Sequence, residues 1–246
     1  MHRSRLLRVA FACLLPTLCS LAAGVDKYEV WAIDQSNTAG KAYGGTLYVW
    51  DGHDLEKKNK PAAAQPIVVD LGGDASALCL AKTGSNPVRP HMLFFNSGHT
   101  HAVVSFVVSG HVLIMNAINR EPVDCLRMSP GAGGAIQAHG AVPSPDGSYI
   151  AVANQNGKLL ERINTDYATN TFAHDPAATL NLAACTTPNG APCEDMALRP
   201  DNAPICPVLA PSSETVFVTL RGGGLFVVDG KSTRSEERRV GKECRS

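Results

Sequence analysis

Gln137–Thr165, QAHGAVPSPDGSYIAVANQNGKLLERINT, is the stretch whose reading decides the fold. Ser144-Pro145-Asp146-Gly147 reads as a tight turn: proline presets its own backbone angle, and aspartate and glycine suit the rest. Asn156-Gly157 is the strongest short hairpin signal, because both residues tolerate positive φ. Between the two turns lies the apolar run Tyr149-Ile150-Ala151-Val152-Ala153. The stretch therefore predicts three β-strands joined by two turns.

Sliding the chain along itself shows that this unit recurs. Shifted back by 47 residues, Ser144 falls on Ser97, Ile150 on Val103 and Gly157 on Gly110, with no gap from His91 to Ala117. Shifted forward by 66, Tyr149 falls on Thr215, Val152 on Val218 and Gly157 on Gly223. A looser copy upstream runs KYEVWAIDQ, a longer loop through Gly44-Gly45, then TLYVWDG. Both intervals exceed a minimal propeller blade of about 40–45 residues, so the surplus is assigned to loops.

The two ends read differently from the middle. Arg3, Arg5 and Arg8 precede an apolar run from Val9 to Leu21, and Ala22, Ala23 and Gly24 follow. That is the pattern of a secretory signal peptide, assigned to residues 1–24. The run contains Pro16 and is shorter than the roughly 20 residues that span a bilayer, and no membrane span is expected in the mature chain. At the other end RSEERRVGKECRS is abruptly charged, matches no repeat and resembles a translated sequencing adapter, so residues 232–246 are read as a non-native tail. Residues 25–231 are left as the folding unit.

Lys plus Arg and Asp plus Glu both number 22 in the 246 residues. Such a balance, without a basic run, argues against a nucleic-acid partner. Helical periodicity is scarce, and short apolar or alternating runs broken by Gly, Pro, Asn and Asp dominate, which is an all-β pattern. Repeated four-stranded antiparallel units close radially into a β-propeller. The Ser-Pro-Asp-Gly turn, a strand, a glycine hairpin and a strand ending in Asp or Asn resemble the YVTN-type propellers, a group that includes quinoprotein amine dehydrogenase heavy chains and lactonase-like propellers. The resemblance covers roughly Lys27–Gly230. It implies a truncated propeller with about four of seven blades present, the first lacking its innermost strand.

By the same resemblance, hairpins between second and third strands share one face with the connections between blades, and ligand sites gather there around the channel mouth. His139 falls early in an inner strand, in register with Met92, beside His91, and with Ile205, beside Cys206. His111 follows the Gly110 hairpin, and Asn154, Gln155 and Asn156 line the equivalent one. These residues are expected to converge on one mouth, with Arg199 and Asp201 presenting a charged pair to it. His99 and His101 belong on the opposite face. Two apart on a strand, they project to the same side and form a candidate pair for a divalent metal such as zinc.

Of the eight cysteines, Cys79, Cys125, Cys185, Cys193 and Cys206 lie in the folding unit. In an exported chain these are disulfide candidates. Cys185 and Cys193 flank the turn-rich TTPNGAP, Cys206 is an alternative partner for either, and Cys79 with Cys125 is expected to join neighbouring blades. Leu180–Pro207 is the longest irregular connection and, stapled by cysteines, a candidate functional loop. Two function classes follow for this extracytoplasmic chain. One is a scaffold that binds a small molecule, metal or protein partner at the channel mouth. The other is a propeller enzyme, either a lactonase-like hydrolase or a quinoprotein-like redox protein. The inner strands offer His, Cys and Met more than carboxylates, which favours binding.

Overall fold

A computed structural model describes residues 27–57, 64–197 and 201–231. The expected signal peptide, the charged tail and Arg199 lie outside these residues. The described strands form four antiparallel sheets that succeed one another along the chain. The first holds β1 (Glu29–Asp34), β2 (Thr46–Asp51) and β3 (Ile67–Asp70). The second holds β4 (Pro90–Phe95), β5 (His101–Phe106), β6 (His111–Asn116) and β7 (Pro122–Arg127). The third runs through β8 (Ala138–Pro143), β9 (Tyr149–Asn154) and β10 (Leu159–Asp166); its outer position is shared by β11 (Thr171–His174) and β12 (Leu180–Asn181), both paired to β10. The fourth holds β13 (Pro204–Leu209), β14 (Thr215–Leu220) and β15 (Leu225–Asp229). A short helix α1 (Gly52–Leu55) follows β2, and α2 (Asp74–Thr83) fills the connection between the first two sheets.

These sheets are the blades of a propeller. The inner strand β8 packs against β4 on one side and β13 on the other. The second strands of the interior blades, β5 and β9, are buried on both sides, because a blade covers each face. In β5, Ala102, Val104 and Phe106 enter the core shared with the first blade and α2, while Val103 enters the core shared with the third blade. In β9, Ile150 and Val152 face the second blade, and Tyr149 and Ala151 face the fourth. Alternation along a strand thus divides its side chains between two cores, with no polar face. In the first blade Gly44, just before β2, bridges Val88, just before β4, in parallel. So β1, β2 and β3 take the second, third and outer positions, and the inner position of that blade holds no described strand.

The structural repeat between the second and third blades is 48 residues rather than 47: β5 begins at His101 and β9 at Tyr149, β6 at His111 and β10 at Leu159, β4 at Pro90 and β8 at Ala138. Turn geometry agrees. His99, Gly147 and Ser213 occupy the same turn position, all with φ between 51° and 72°. In the hairpin above, positive φ falls on Gly110 and Lys158, not on Gly157. Gly157 is needed for close approach instead, since a Cβ there would lie 2.7 Å from Asn154 Oδ1 and 2.9 Å from the Ala135 carbonyl. The 66-residue shift to the fourth blade holds at all three inner strand starts.

Cys79–Cys125 and Cys185–Cys193 are both bonded. The first does not join two blades, as expected, but fastens α2 to β7, the outer strand of the second blade. Cys206 is unbonded and half-buried, and burial pushes its thiol up. The α2 anchorage is completed by His111, which is fully buried. Thr83 Oγ1 donates its one proton to the Cys79 carbonyl at 2.7 Å, so His111 Nε2, 2.8 Å away, donates to Thr83.

Two predictions follow from these anchors. By loop-closure entropy, opening Cys79–Cys125, 46 residues apart, should cost roughly 4 kcal/mol, and opening Cys185–Cys193, 8 apart, roughly 2.5 kcal/mol. Denaturant midpoints of the paired Cys→Ala variants check the order; a larger loss from the short loop would contradict it. Burial, with Arg127 beside it, pushes His111 from its ordinary 6.5 down to about 4. The unfolded chain takes up this proton first, so the contribution is complete above about pH 6.5 and is lost as pH falls towards 4, in all about 3 kcal/mol. Stability of His111→Gln should therefore fall less steeply than wild type over that window.

Candidate functional site

The β1–β2 loop, the hairpins β5–β6 and β9–β10, and the entries to β4 and β8 meet on one face. They border an open cavity of about 470 Å³ lined by Gln35, Arg89, His91, Val107, Val108, Ile136, Gln137, His139, Gln155 and Asn156. None of these residues is Asp or Glu. The histidines reach the cavity because of a repeated irregularity. Pairing of the inner strand with its neighbour shifts register between Pro90 and Met92, between Ala138 and Gly140, and between Pro204 and Pro207. His91 and His139 sit inside the first two bulges, 48 residues apart, and Ile205-Cys206 inside the third. A bulge frees the extra residue from the ladder and re-aims its side chain.

The two imidazoles meet edge to face, ring centroids 4.4 Å apart. Burial lowers the pKa of both; Arg89 adds to this at His91, and His91 adds to it at His139. The Gln35 side-chain amide contacts His91 Nδ1, and the Ile205 backbone beside the His139 ring works weakly against the lowering there. Three lining residues each keep one side-chain atom buried without a partner: His91 Nε2, His139 Nδ1 and Gln137 Oε1.

Asn156 is held from behind. Arg221 donates through Nη1 to Asn156 Oδ1 at 3.3 Å and pairs through Nε with Asp201. Burial works to raise Asp201, but its bond from Arg221 and that from the Ala203 amide leave it below the ordinary carboxylate range. Of the residues singled out in the sequence, His139, Gln155 and Asn156 line this cavity, and Asp201 supports it from outside. Four others do not belong to it. His111 is buried beneath α2. Asn154 is buried in the hairpin, accepting from the Gln137 amide and donating to the Ser129 carbonyl and to Glu161. On the opposite face His99 sits in the turn at φ 51° while only His101 is in the strand, so the two do not share a strand side. Both ring nitrogens of His101 are engaged, by Thr100 and Asn170. No group of three or more His, Cys, Asp or Glu placed to hold a metal occurs among the described residues.

The stapled loop packs beside the β9–β10 hairpin, through Lys158–Glu194 and the Leu182 amide to the Lys158 carbonyl, without lining the cavity. Sequence reasoning missed Gln35, Arg89, Gln137 and Arg221; only the paired position of His91 and His139 was within its reach. A larger cleft on the opposite face, about 840 Å³, is walled by Trp31, Val49, Ile67, Phe95 and Ile118 beside the free edge of β1. Lys27, Tyr28, Glu29, Asp51, Gln65 and His99 also line it.

No protein-family model matches the chain, and no curated protein sequence matches it. Solved structures do. A periplasmic gluconolactonase of Pseudomonas aeruginosa superposes over 88% of this chain and 50% of its own, with a TM-score of 0.56 and 16% identity. Candidate 6-phosphogluconolactonases from Bacteroides uniformis and Bacteroides fragilis each cover 87% of the chain with a TM-score of 0.54, at 11% and 12% identity. The chain spans about half the length of each, 50%, 53% and 54%. At such identities the likeness is one of fold: the chain is similar to β-propeller structures.

Proposed function

We propose that the chain is an extracytoplasmic binding protein whose ligand, a small oxygen-rich molecule, neutral or anionic, enters the cavity at the mouth of the propeller channel. The observation that carries this reading is that three residues lining one cleft, His91, Gln137 and His139, each hold a buried polar atom without a partner. Buried polar groups are ordinarily hydrogen-bonded, and orphans gathered at one concave site mark places where a ligand completes the bonding. The lack of Asp and Glu in the lining disfavours cations. The two disulfides and the periplasmic gluconolactonase with the same fold support an oxidising compartment.

Backbone strain supports the same location. Among the described residues six non-glycine residues have positive φ, and five of them, His99, Arg120, Lys158, Asn170 and Ser213, lie in turns. Arg89, at φ 59°, instead opens an inner strand and lines the cavity. Its amide donates to Asn37 Oδ1 and its carbonyl accepts from Val107, contacts that hold it there. Strain of about 1–2 kcal/mol persists where the surroundings over-determine it, and collects at ligand sites. A second reading, a lactonase-like hydrolase on the same scaffold, draws on the neighbouring folds and on the neutral imidazoles. The carboxylate-free lining places it behind binding.

Calorimetric titration with D-gluconate and D-sorbitol tests the first reading. Binding is expected, with His139→Ala weakening it at least tenfold and leaving the circular dichroism spectrum unchanged; no binding of either compound would overturn the proposal. Turnover of glucono-1,5-lactone, lost in His139→Ala, would establish the second reading instead. Arg89→Gly should raise stability by about 1 kcal/mol, because only glycine takes that φ freely, while Arg89→Ala should not. Equal melting temperatures for the two variants would remove the strain argument.

A further inference from the structure

We infer that the cleft at the channel mouth is a carboxylate site, with the Arg89 guanidinium seating the single negative charge of its ligand and the Asn156 amide donating to the same ligand. The inference rests on the binding reading and decides between the neutral and the anionic ligand that it leaves open.

The charge of the cleft reduces to one group. None of its lining residues is Asp or Glu. His91 and His139 are neutral at pH 7, since burial lowers both from an ordinary value already below 7. Arg221, behind Asn156, is matched by Asp201. Arg89 is exposed and lines the cleft, and its side chain makes no ion pair or hydrogen bond with any described residue. Its charge is felt inside the cleft, where it helps to lower His91.

The backbone says why an arginine at this position is notable. Arg89 is held at φ 59°, and it precedes Pro90, which steers its neighbour towards extended backbone. Its contacts to Asn37 and Val107 are made by its own amide and carbonyl, so glycine would make them equally well. The side chain is therefore not what holds the segment in place, and no bond from it to a described residue offsets the strain. A ligand that binds the guanidinium does.

Asn156 supplies the second donor. A guanidinium can only donate, so the Asn156 atom that meets Arg221 Nη1 is the oxygen, Oδ1. That leaves its NH₂, which bonds no described residue, for the cleft. A planar guanidinium meets a carboxylate through two parallel N–H···O bonds. One uncompensated positive charge matches a monocarboxylate, whereas a phosphate dianion brings a second charge that no lining group balances. The ligand is accordingly a monocarboxylate on an oxygen-rich frame, as a sugar acid is.

Calorimetric titration of the full chain with D-gluconate, D-sorbitol and D-sorbitol 6-phosphate, which share a six-carbon chain, tests the charge. Gluconate should bind about tenfold or more tighter than sorbitol, the worth of a charge-assisted bond, and tighter than the phosphate. The gluconate-to-sorbitol affinity ratio should fall to about one in Arg89→Gln and in Arg89→Gly, and should also fall in Asn156→Asp. Arg89→Gly is expected to be more stable than wild type, so a lost preference there reports the guanidinium and not the fold. Raising NaCl from about 50 to about 500 mM should weaken gluconate and leave sorbitol unmoved. Equal affinities of gluconate and sorbitol in wild type overturn the carboxylate site, and so does a gluconate preference that survives in Arg89→Gly. Tighter binding of sorbitol 6-phosphate than of gluconate, lost in Arg89→Gly, overturns it in favour of a phosphate. In each of these cases, binding that His139→Ala abolishes leaves the binding reading standing. If none of the three compounds binds, both fall.

Discussion

Every interior blade of this chain is covered on both faces, and that constraint governs the rest of the structure. Ile150 and Val152 serve one inter-blade core and Tyr149 and Ala151 the other, so β9 has no wet side. Polar groups in the middle of such a sheet must be paired, as within β10 Glu161 is by the Ser129 amide and Asn154, and Arg162 by Asp175. Polar groups open to solvent gather instead at the strand ends, where turns and inter-blade connections lie. The same constraint accounts for the third core, where Leu47, Val49, Phe106 and Leu113 pack with α2 and Cys79: the connector helix helps to cover the gap beneath the first blade.

The architecture was legible because turn chemistry and apolar runs repeat, and both report local geometry. Ser144 shows why the turn is so readable. Its hydroxyl donates to Asp146 and accepts from the amides of Ser148 and Tyr149, and Gly147 takes the positive φ that closes the turn. The offset between repeats was less secure. Aligning Gly157 with Gly110 gave 47 residues, on the premise that each glycine supplies the left-handed position. In the third blade that position belongs to Lys158, while Gly157 is there because the Ala135 carbonyl and Asn154 approach too closely for a Cβ. A glycine in a sequence does not say which of its two uses applies. The one-residue error carries a large penalty in strands, because it exchanges the two faces. It paired His139 with Met92, when the structural mate is His91.

The candidate site was half legible for a related reason. His139, Gln155 and Asn156 were placed at the mouth by register alone. His111 was misplaced because adjacency to a hairpin says nothing about depth, and α2 covers it. Gln35, Gln137 and Arg221 carry no sequence signature, since an amide or guanidinium near a turn is ordinarily a solvated side chain. What singles them out is three-dimensional: a contact to one ring nitrogen, an orphaned oxygen, and a donor reaching 65 residues along the chain to Asn156.

Local rules break at the mouth in a patterned way. The register of pairing is interrupted in all three described inner strands at equivalent positions, yet only two of the three interruptions carry histidine. The bulge is therefore a property of the repeat, and the histidines exploit it. In the fourth blade the same position gives Ile205, whose backbone lies beside the His139 ring. One blade's bulge thus borders the histidine in the bulge of the next. Sequence identity at that position is then free to drift, since any residue supplies a backbone. That is a physical reason for a site of this kind to be spread across three blades and to leave so faint a trace in the sequence.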